Sequence, residues 1–303
     1  SCYRSTKVIK IIILFIFSSI SVSQTISSYS YMGSYSSAVV GSMVSRDANP
    51  WSVVYNPASI AEATNTSIAL DYTNLYSSSF FSTNNFSSII NISEKVKIGV
   101  AFSNFSVNFG GKDLSKEQTI SFGQGVDLQR DKNSSLSIGY TLNYFQWSQA
   151  ESAGLSGDGT DGVGALSVNS YGVDLGLVAT LRGRNRVGFH LKNFNSPHLG
   201  KDSYSSYTQL TKKMTLGVSY NPLKTLSTSL EVERLLGNNQ IQAKISSEYS
   251  LNNSLVFLFG LQSNPNRFGL GISIYLNKFI ITSSILTHAT LPATYNQGIS
   301  FEL

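Results

Sequence analysis

Strict alternation of apolar and small polar residues limits this chain more than any other feature. In Leu136-Ser-Ile-Gly-Tyr-Thr-Leu-Asn-Tyr144, one face carries Leu, Ile and Tyr, and the other carries Ser137, Gly139, Thr141 and Asn143. Tyr171-Gly-Val-Asp-Leu-Gly-Leu177, Met214-Thr-Leu-Gly-Val-Ser-Tyr220 and Phe268-Gly-Leu-Gly-Ile-Ser-Ile-Tyr-Leu276 repeat the pattern. A β-strand sends successive side chains to opposite faces, so each stretch has one greasy side and one slender, polar side. Only 13% of residues are charged, about half the share of a soluble domain. Beyond residue 23, no apolar run approaches the ~20 residues of a membrane helix. These features predict an all-β chain: a transmembrane antiparallel β-barrel with lipid outside and a polar lumen inside.

About fourteen such segments can be read between Ser67 and Leu303, an even number as expected for a single-chain bacterial barrel. The connections support the count. Ser93–Lys95, Arg130–Asn133, Arg182–Asn185, Asn221–Lys224, Leu251–Asn253 and Asn277–Lys278 are short and rich in turn or charged residues, as periplasmic turns should be. The two longest connections, Ser148–Gly164 and Asn195–Tyr207, both fall on the opposite side. One strand miscounted in the middle would destroy that parity. The last strand sets Ile299, Phe301 and Leu303 on one face, resembling the terminal signal read by outer-membrane assembly machinery.

At the other end, Arg4, Lys7 and Lys10 precede an apolar run from Ile11 to Phe17, with small residues at Ser21 and Ser23. Residues 1–23 therefore read as a secretory signal peptide. Its removal takes away three cations and no acid, so the net charge falls from +5 to +2 and the basic character disappears. Cys2, the single cysteine, leaves as well, which excludes disulfides and thiolate metal sites. No Lys/Arg cluster with a nucleic-acid footprint remains.

One stretch fits neither strand nor long helix: Asp47-Ala-Asn-Pro-Trp-Ser-Val-Val-Tyr-Asn-Pro-Ala-Ser-Ile-Ala61. Asn56 followed by Pro57 reads as a helix N-cap and first helical position. Trp51, Val53, Val54 and Tyr55 are too apolar for a solvated leader. A fourteen-stranded barrel leaves a hole unless it is filled. Residues 24–65 are therefore expected to fold inward as a plug, with residues 66–303 forming the barrel. Trp51, Tyr55, Asn56, Pro57 and Ala58 are the candidate plug or gate residues.

These residues resemble a known family. Ala38-Val-Val-Gly-Ser-Met-Val44, Asp47-Ala-Asn-Pro50 and Tyr55-Asn-Pro-Ala-Ser-Ile-Ala61 look like the hatch box of FadL-type outer-membrane proteins. Tyr171–Leu177 and Leu216–Tyr220 look like strands of the PorV/PorQ branch of that superfamily. The resemblance implies a plugged barrel in a Gram-negative outer membrane, with membrane lipids around it. It also implies one of two uses. FadL-type members pass small hydrophobic molecules, fatty-acid-like or aromatic, through the plugged lumen. PorV-like relatives serve instead as partners or scaffolds in secretion or surface-assembly complexes. Fold alone cannot choose between them.

Asp71, Asp174, His190, Lys192, Glu231, Glu233, Lys244, Glu248, Arg267 and Glu302 fall in the lumen phase. A salt-bridge network pinning plug to wall is the expected role; no nucleophile elbow or ordered Ser/His/Asp set points to an enzyme. His190, His198 and His288 lack metal-ligand spacing, and no cofactor motif is present. Gly157-Asp-Gly-Thr-Asp-Gly162 lacks the downstream Glu of an EF-hand calcium loop. Two strands break the alternation. Val256 and Leu258, with Ile280 and Leu286, are apolar in the lumen phase, and either line a narrow hydrophobic passage or are buried by the plug. Phe80 and Phe81, in the first outer loop, either dock a greasy ligand or rest in the membrane interface.

Overall fold

The structure, a computed structural model, describes residues 31–303 apart from 94–95, 152–153, 155–156, 158–161, 163, 200–207 and 238–239. The signal-peptide reading and most of Gly157–Gly162 lie outside the described residues.

Fourteen antiparallel strands close into one barrel. They are β1 (Ser67–Asn74), β2 (Phe81–Asn91), β3 (Lys97–Phe109), β4 (Lys112–Arg130), β5 (Ser135–Gln149), β6 (Leu166–Leu181), β7 (Asn185–Lys192), β8 (Lys212–Leu223), β9 (Leu226–Leu236), β10 (Ile241–Ser250), β11 (Leu255–Gln262), β12 (Arg267–Leu276), β13 (Phe279–Leu286) and β14 (Thr294–Glu302). Each pairs with its neighbour in sequence, and β14 pairs with β1 from Ser67 opposite Glu302 to Asn74 opposite Tyr295. A two-stranded ribbon, His198–Leu199 with Thr208–Gln209, stands outside the barrel ladder. No helix among the described residues is long and apolar enough to cross a membrane; the strands cross instead.

The alternation sorts the side chains as the sequence predicts. Leu142, Leu175, Leu216, Leu230, Phe257 and Ile272 are exposed on the outer face, while Ser137, Thr141, Asp174, Thr215, Ser229 and Ser273 are buried toward the lumen. Outward apolar residues meet hydrocarbon without loss, and the ladder pairs the backbone polar groups that lipid cannot satisfy. β2 and β4 begin at Phe81 and Lys112, ahead of Phe86 and Ile120, where the apolar residues of the outward phase set in. There the outward residues are mostly polar while the ladder is already formed, so hydrophobic period alone starts each strand too late.

The wall is uneven in height. β3 to β6 are 13, 19, 15 and 16 residues long, whereas β7, β11 and β13 have 8. A membrane crossing needs about 9–11 residues, so β3 to β6 project beyond it. They project on the rim that carries the long connections; the opposite rim has short turns throughout. Gly110 and Gly111 form the β3–β4 turn with φ of +59° and +78°, a backbone open to glycine. The register slips by one residue beside it, between Val107 and Asn108. The wall thus carries a bulge at the rim beside these glycines, while the ladder itself stays closed.

Residues 31–63 lie within the barrel, and the lumen-facing glycines show how closely. A Cβ on Gly139 would stand 2.4 Å from the Pro57 carbonyl carbon. One on Gly125 would stand 2.4 Å from Ala61 N, and one on Gly269 2.4 Å from Ala38 O. Backbone rests on backbone there, with no room for a side chain. Gly139→Val should force the inner segment off this wall at a cost of about 1–3 kcal/mol, with the barrel still folded. Arg46, 4% exposed, should then become cleavable by trypsin. Gly164→Ala, where a Cβ meets nothing within 4 Å, should leave cleavage unchanged.

Candidate functional site

The inner segment is built from three short helical turns: α1 (Ser34–Ala38), α2 (Ser52–Tyr55) and a 3-10 turn (Pro57–Glu62). None is long enough to be stable alone, so the surrounding wall must hold them. Gly33, at φ +97°, admits the chain to α1, and the Trp51 ring occupies the space where its side chain would be. Asn56 stands before Pro57 in extended conformation, and its Oδ1 accepts from Ala58 N at 3.2 Å. That leaves its Nδ2 free to donate to Val44 O at 2.7 Å and to Leu177 O of β6 at 3.2 Å. One side chain thus caps a turn, joins two parts of the segment and ties both to the wall. Pro57 and Ala58 press against the glycines of β5 and β6, and Ala58 is fully buried. The Tyr55 hydroxyl donates to Ser36 Oγ at 3.0 Å and accepts from Met32 N at 2.9 Å, closing α2 over the start of α1.

Charged and hydroxyl side chains from the wall complete the attachment. Arg186 of β7 donates to Ser45 O and Arg46 O, both at 3.0 Å, and pairs with Asp47 at 3.2 Å and with Glu62. A single guanidinium therefore joins the loop between α1 and α2 to the end of the 3-10 turn. Arg46 pairs with Glu248 of β10 at 3.1 Å, and Tyr35 donates to the same carboxylate. Asp71 accepts from Ser34 N and Glu231 from Val44 N, each at 2.6 Å. Lys97 Nζ donates to Ala61 O at 2.6 Å, and Thr141 Oγ1 to Val53 O at 2.8 Å. Of the lumen charges read from sequence, Asp71, Glu231 and Glu248 bind the segment directly. Glu233 is shared between Lys244 at 2.9 Å and Lys213 at 3.5 Å. Asp174 braces the wall through Asn143 and Asn193. Glu302 lies exposed at the short-turn rim.

Sequence reading missed Arg186 and Arg46. Arg186 shares the lumen phase of His190 and Lys192, so strand parity could have found it. Arg46 sits in irregular backbone, where no period exists to reveal its direction.

Two cavities flank the segment. One, of about 400 Å³ toward the long-loop rim, is lined by Tyr55, Phe145, Trp147, Lys192, Lys213 and Leu235 among others. The second, of about 680 Å³ toward the short-turn rim, includes Tyr35, Arg46, Trp51, Glu248, Tyr275 and Ile280. Between them, Val256 and Leu258 pack against Ala38, Val39 and Met43, with Tyr35 and Tyr55 alongside. The four residues read as a passage are therefore not brought together. Val256 and Leu258 are covered by the inner segment, Ile280 lines the lower cavity, and Leu286 is buried near Tyr31 and Ser37 at the other end. Phe80 is half exposed at the long-loop rim, 5.4 Å from Phe109 ring to ring; Phe81 stacks at 6.2 Å on Phe105, which is fully buried. Tyr76 and His288 meet edge to face beside them at 5.4 Å. Partial burial, with Arg267 nearby, holds the His288 ring below its ordinary pKa, so it stays neutral at pH 7.

No protein-family model matches the sequence, and no curated protein matches it. Solved structures do. The CymD monoaromatic hydrocarbon channel is similar at a TM-score of 0.65 and 11% identity, over 90% of this chain and 97% of that one. The toluene transporter TodX of Pseudomonas putida is similar at 0.62 and 12%, over 93% and 99%. A Pseudomonas aeruginosa FadL homologue is similar at 0.56 and 10%, over 89% and 97%. At such identities the likeness concerns architecture: this chain carries a FadL-like barrel fold, a barrel of the Gram-negative outer-membrane type.

Proposed function

We propose that this chain is a passive outer-membrane channel for small hydrophobic molecules, gated by its own inner segment. One observation carries the reading. The segment lies between two cavities on opposite rims: Tyr55 lines one and Tyr35 the other, and both rings pack on the cluster of Met43, Val256 and Leu258. The fold likeness to a monoaromatic hydrocarbon channel and a toluene transporter supports it. In this reading a ligand settles on the exposed Phe80 and Phe109, passes Phe81 and Phe105, and enters the upper cavity. Movement of residues 43–55 then joins that cavity to the lower one. Short helical turns anchored by side chains can shift without disturbing the barrel ladder. The upper cavity mixes Phe145, Trp147 and Leu235 with Lys192 and Lys213. That lining suits a small amphiphile, with an apolar body and a polar or anionic end, better than a bare alkane. A PorV-like scaffold would leave both cavities without a role.

Two measurements test this. Tyr55→Ala removes one ring packed on this cluster together with its bonds to Ser36 and Met32. It should raise uptake of a toluene-sized probe into liposomes several-fold over the native protein, with the barrel equally heat-modifiable on gels. Absence of uptake in both proteins overturns the channel reading. Leu258→Asp places a carboxylate where the native side chain is 1% exposed among apolar neighbours. An unpaired buried charge is strongly unfavourable, so the inner segment should dissociate locally and trypsin should cut at Arg46. If Leu258→Asp protein resists trypsin like the native protein, the seating of the inner segment does not depend on this contact.

A further inference from the structure

The outer face of β2 to β6 carries a second pattern, unrelated to the lumen. Asn84 lies opposite Asn104, Asn104 opposite Gln118, Gln118 opposite Gln146, and Gln146 opposite Asn169. Five carboxamides on five neighbouring strands thus form one continuous row across the wall. All are in the outward phase: Asn84, Gln146 and Asn169 are exposed, and Asn104 and Gln118 half-buried. Gln118 Nε2 donates to Asn104 Oδ1 at 3.0 Å, which orients the middle of the row.

The neighbouring rows fix its depth. On the membrane side lie Phe86, Phe102, Ile120, Tyr144 and Tyr171 in the same register, aromatic at every strand but β4, with the two tyrosine rings 5.3 Å apart. Such an aromatic row marks the boundary of the hydrocarbon. On the far side the same register brings Ser106, Lys116 and Ser148 together. The amides therefore stand at headgroup depth on the projecting, long-loop side of the barrel. Barrels of this kind direct their longer loops outward, so this is the outer leaflet.

We infer that this row binds the phosphorylated saccharide headgroup of an outer-leaflet glycolipid. A carboxamide offers donors and an acceptor in one plane, as a surface of sugar hydroxyls requires. Strands stand about 4.8 Å apart, so the five amides span about 19 Å, enough for several sugar rings. The row holds no cation, so it lacks what a phosphodiester headgroup needs for charge pairing. Lys116, one row farther out, is placed for a phosphate carried on the saccharide. The aromatic row beneath receives the first segments of the acyl chains.

The test uses the full chain in detergent, incubated with rough-type lipopolysaccharide, which carries lipid A and core saccharide, and analysed by native mass spectrometry. Parallel samples receive lipid A alone or phosphatidylglycerol. The native protein should retain the rough-type form in preference to both. Asn84→Ala/Asn104→Ala/Asn169→Ala, none of which lines the upper cavity, should lower that retention at least five-fold and leave phosphatidylglycerol adducts and uptake of a hydrophobic probe unchanged. If the alanine variant does not fold, Asn84→Ser/Asn104→Ser/Asn169→Ser keeps the face polar, shortens its reach and should show the same loss. Undiminished retention by the folded variant overturns the inference. So does phosphatidylglycerol binding as tight as that of the glycolipid and lost with it. The probe-uptake arm keeps failure here distinct from failure of the channel reading.

Discussion

Everything in this molecule follows from the demand that backbone N–H and C=O groups in hydrocarbon find partners within the protein. A sheet can meet that demand only by having no edge, and the pairing of β14 with β1 removes the edge. Closure at fourteen strands sets a lumen wider than wall side chains can fill. The inner segment answers this second problem, and it imposes a third. It is irregular backbone, with its own polar groups to satisfy, inside a wall whose ladder is already complete.

Two devices solve the third problem. Glycines on β4, β5, β7, β11 and β12 let the segment's backbone lie directly on the sheet, so that dispersion contacts replace side-chain packing. Side chains on neighbouring lumen positions then reach over to the segment's carbonyls and amides. Arg186, Lys97 and Thr141 donate, while Asp71 and Glu231 accept. The result is an attachment made of many separate polar contacts and two small apolar clusters, Ala38, Val39 and Met43 on Val256 and Leu258, and Val53, Ile60 and Ala63 on Ile89 and Ala101. A set of polar contacts flanked by cavities can be exchanged locally for water, and that makes gating by this segment physically reasonable.

The two faces of the wall carry different information. The lumen face is specific to the inner segment, position by position. The outer face is a generic solvent boundary over most of its area, with Leu, Ile and Phe interchangeable. It becomes specific only where β2 to β6 leave the hydrocarbon and the amide row begins. That is also where the hydrophobic period fades and hydrophobic alternation alone starts β2 and β4 too late. Loss of alternation there records a change of surroundings, from lipid to headgroup, and not the end of a strand.

By itself the sequence determined that the chain is a membrane barrel, how many strands it has, and which residue of each strand faces lipid. These depend on a period of two and on turn parity, both local properties that one chain carries in full. It also marked Asn56 and Pro57 as a helix start, because capping acts over two or three residues. Only the tertiary structure decided what those positions touch. Arg186 gathers Ser45, Arg46, Asp47 and Glu62 from more than 120 residues away in sequence, and Val256 and Leu258 pack on α1 rather than facing open space. The alignment of five amides likewise rests on the stagger between strands. Stagger is set by closure of the whole barrel, which no local stretch of sequence records.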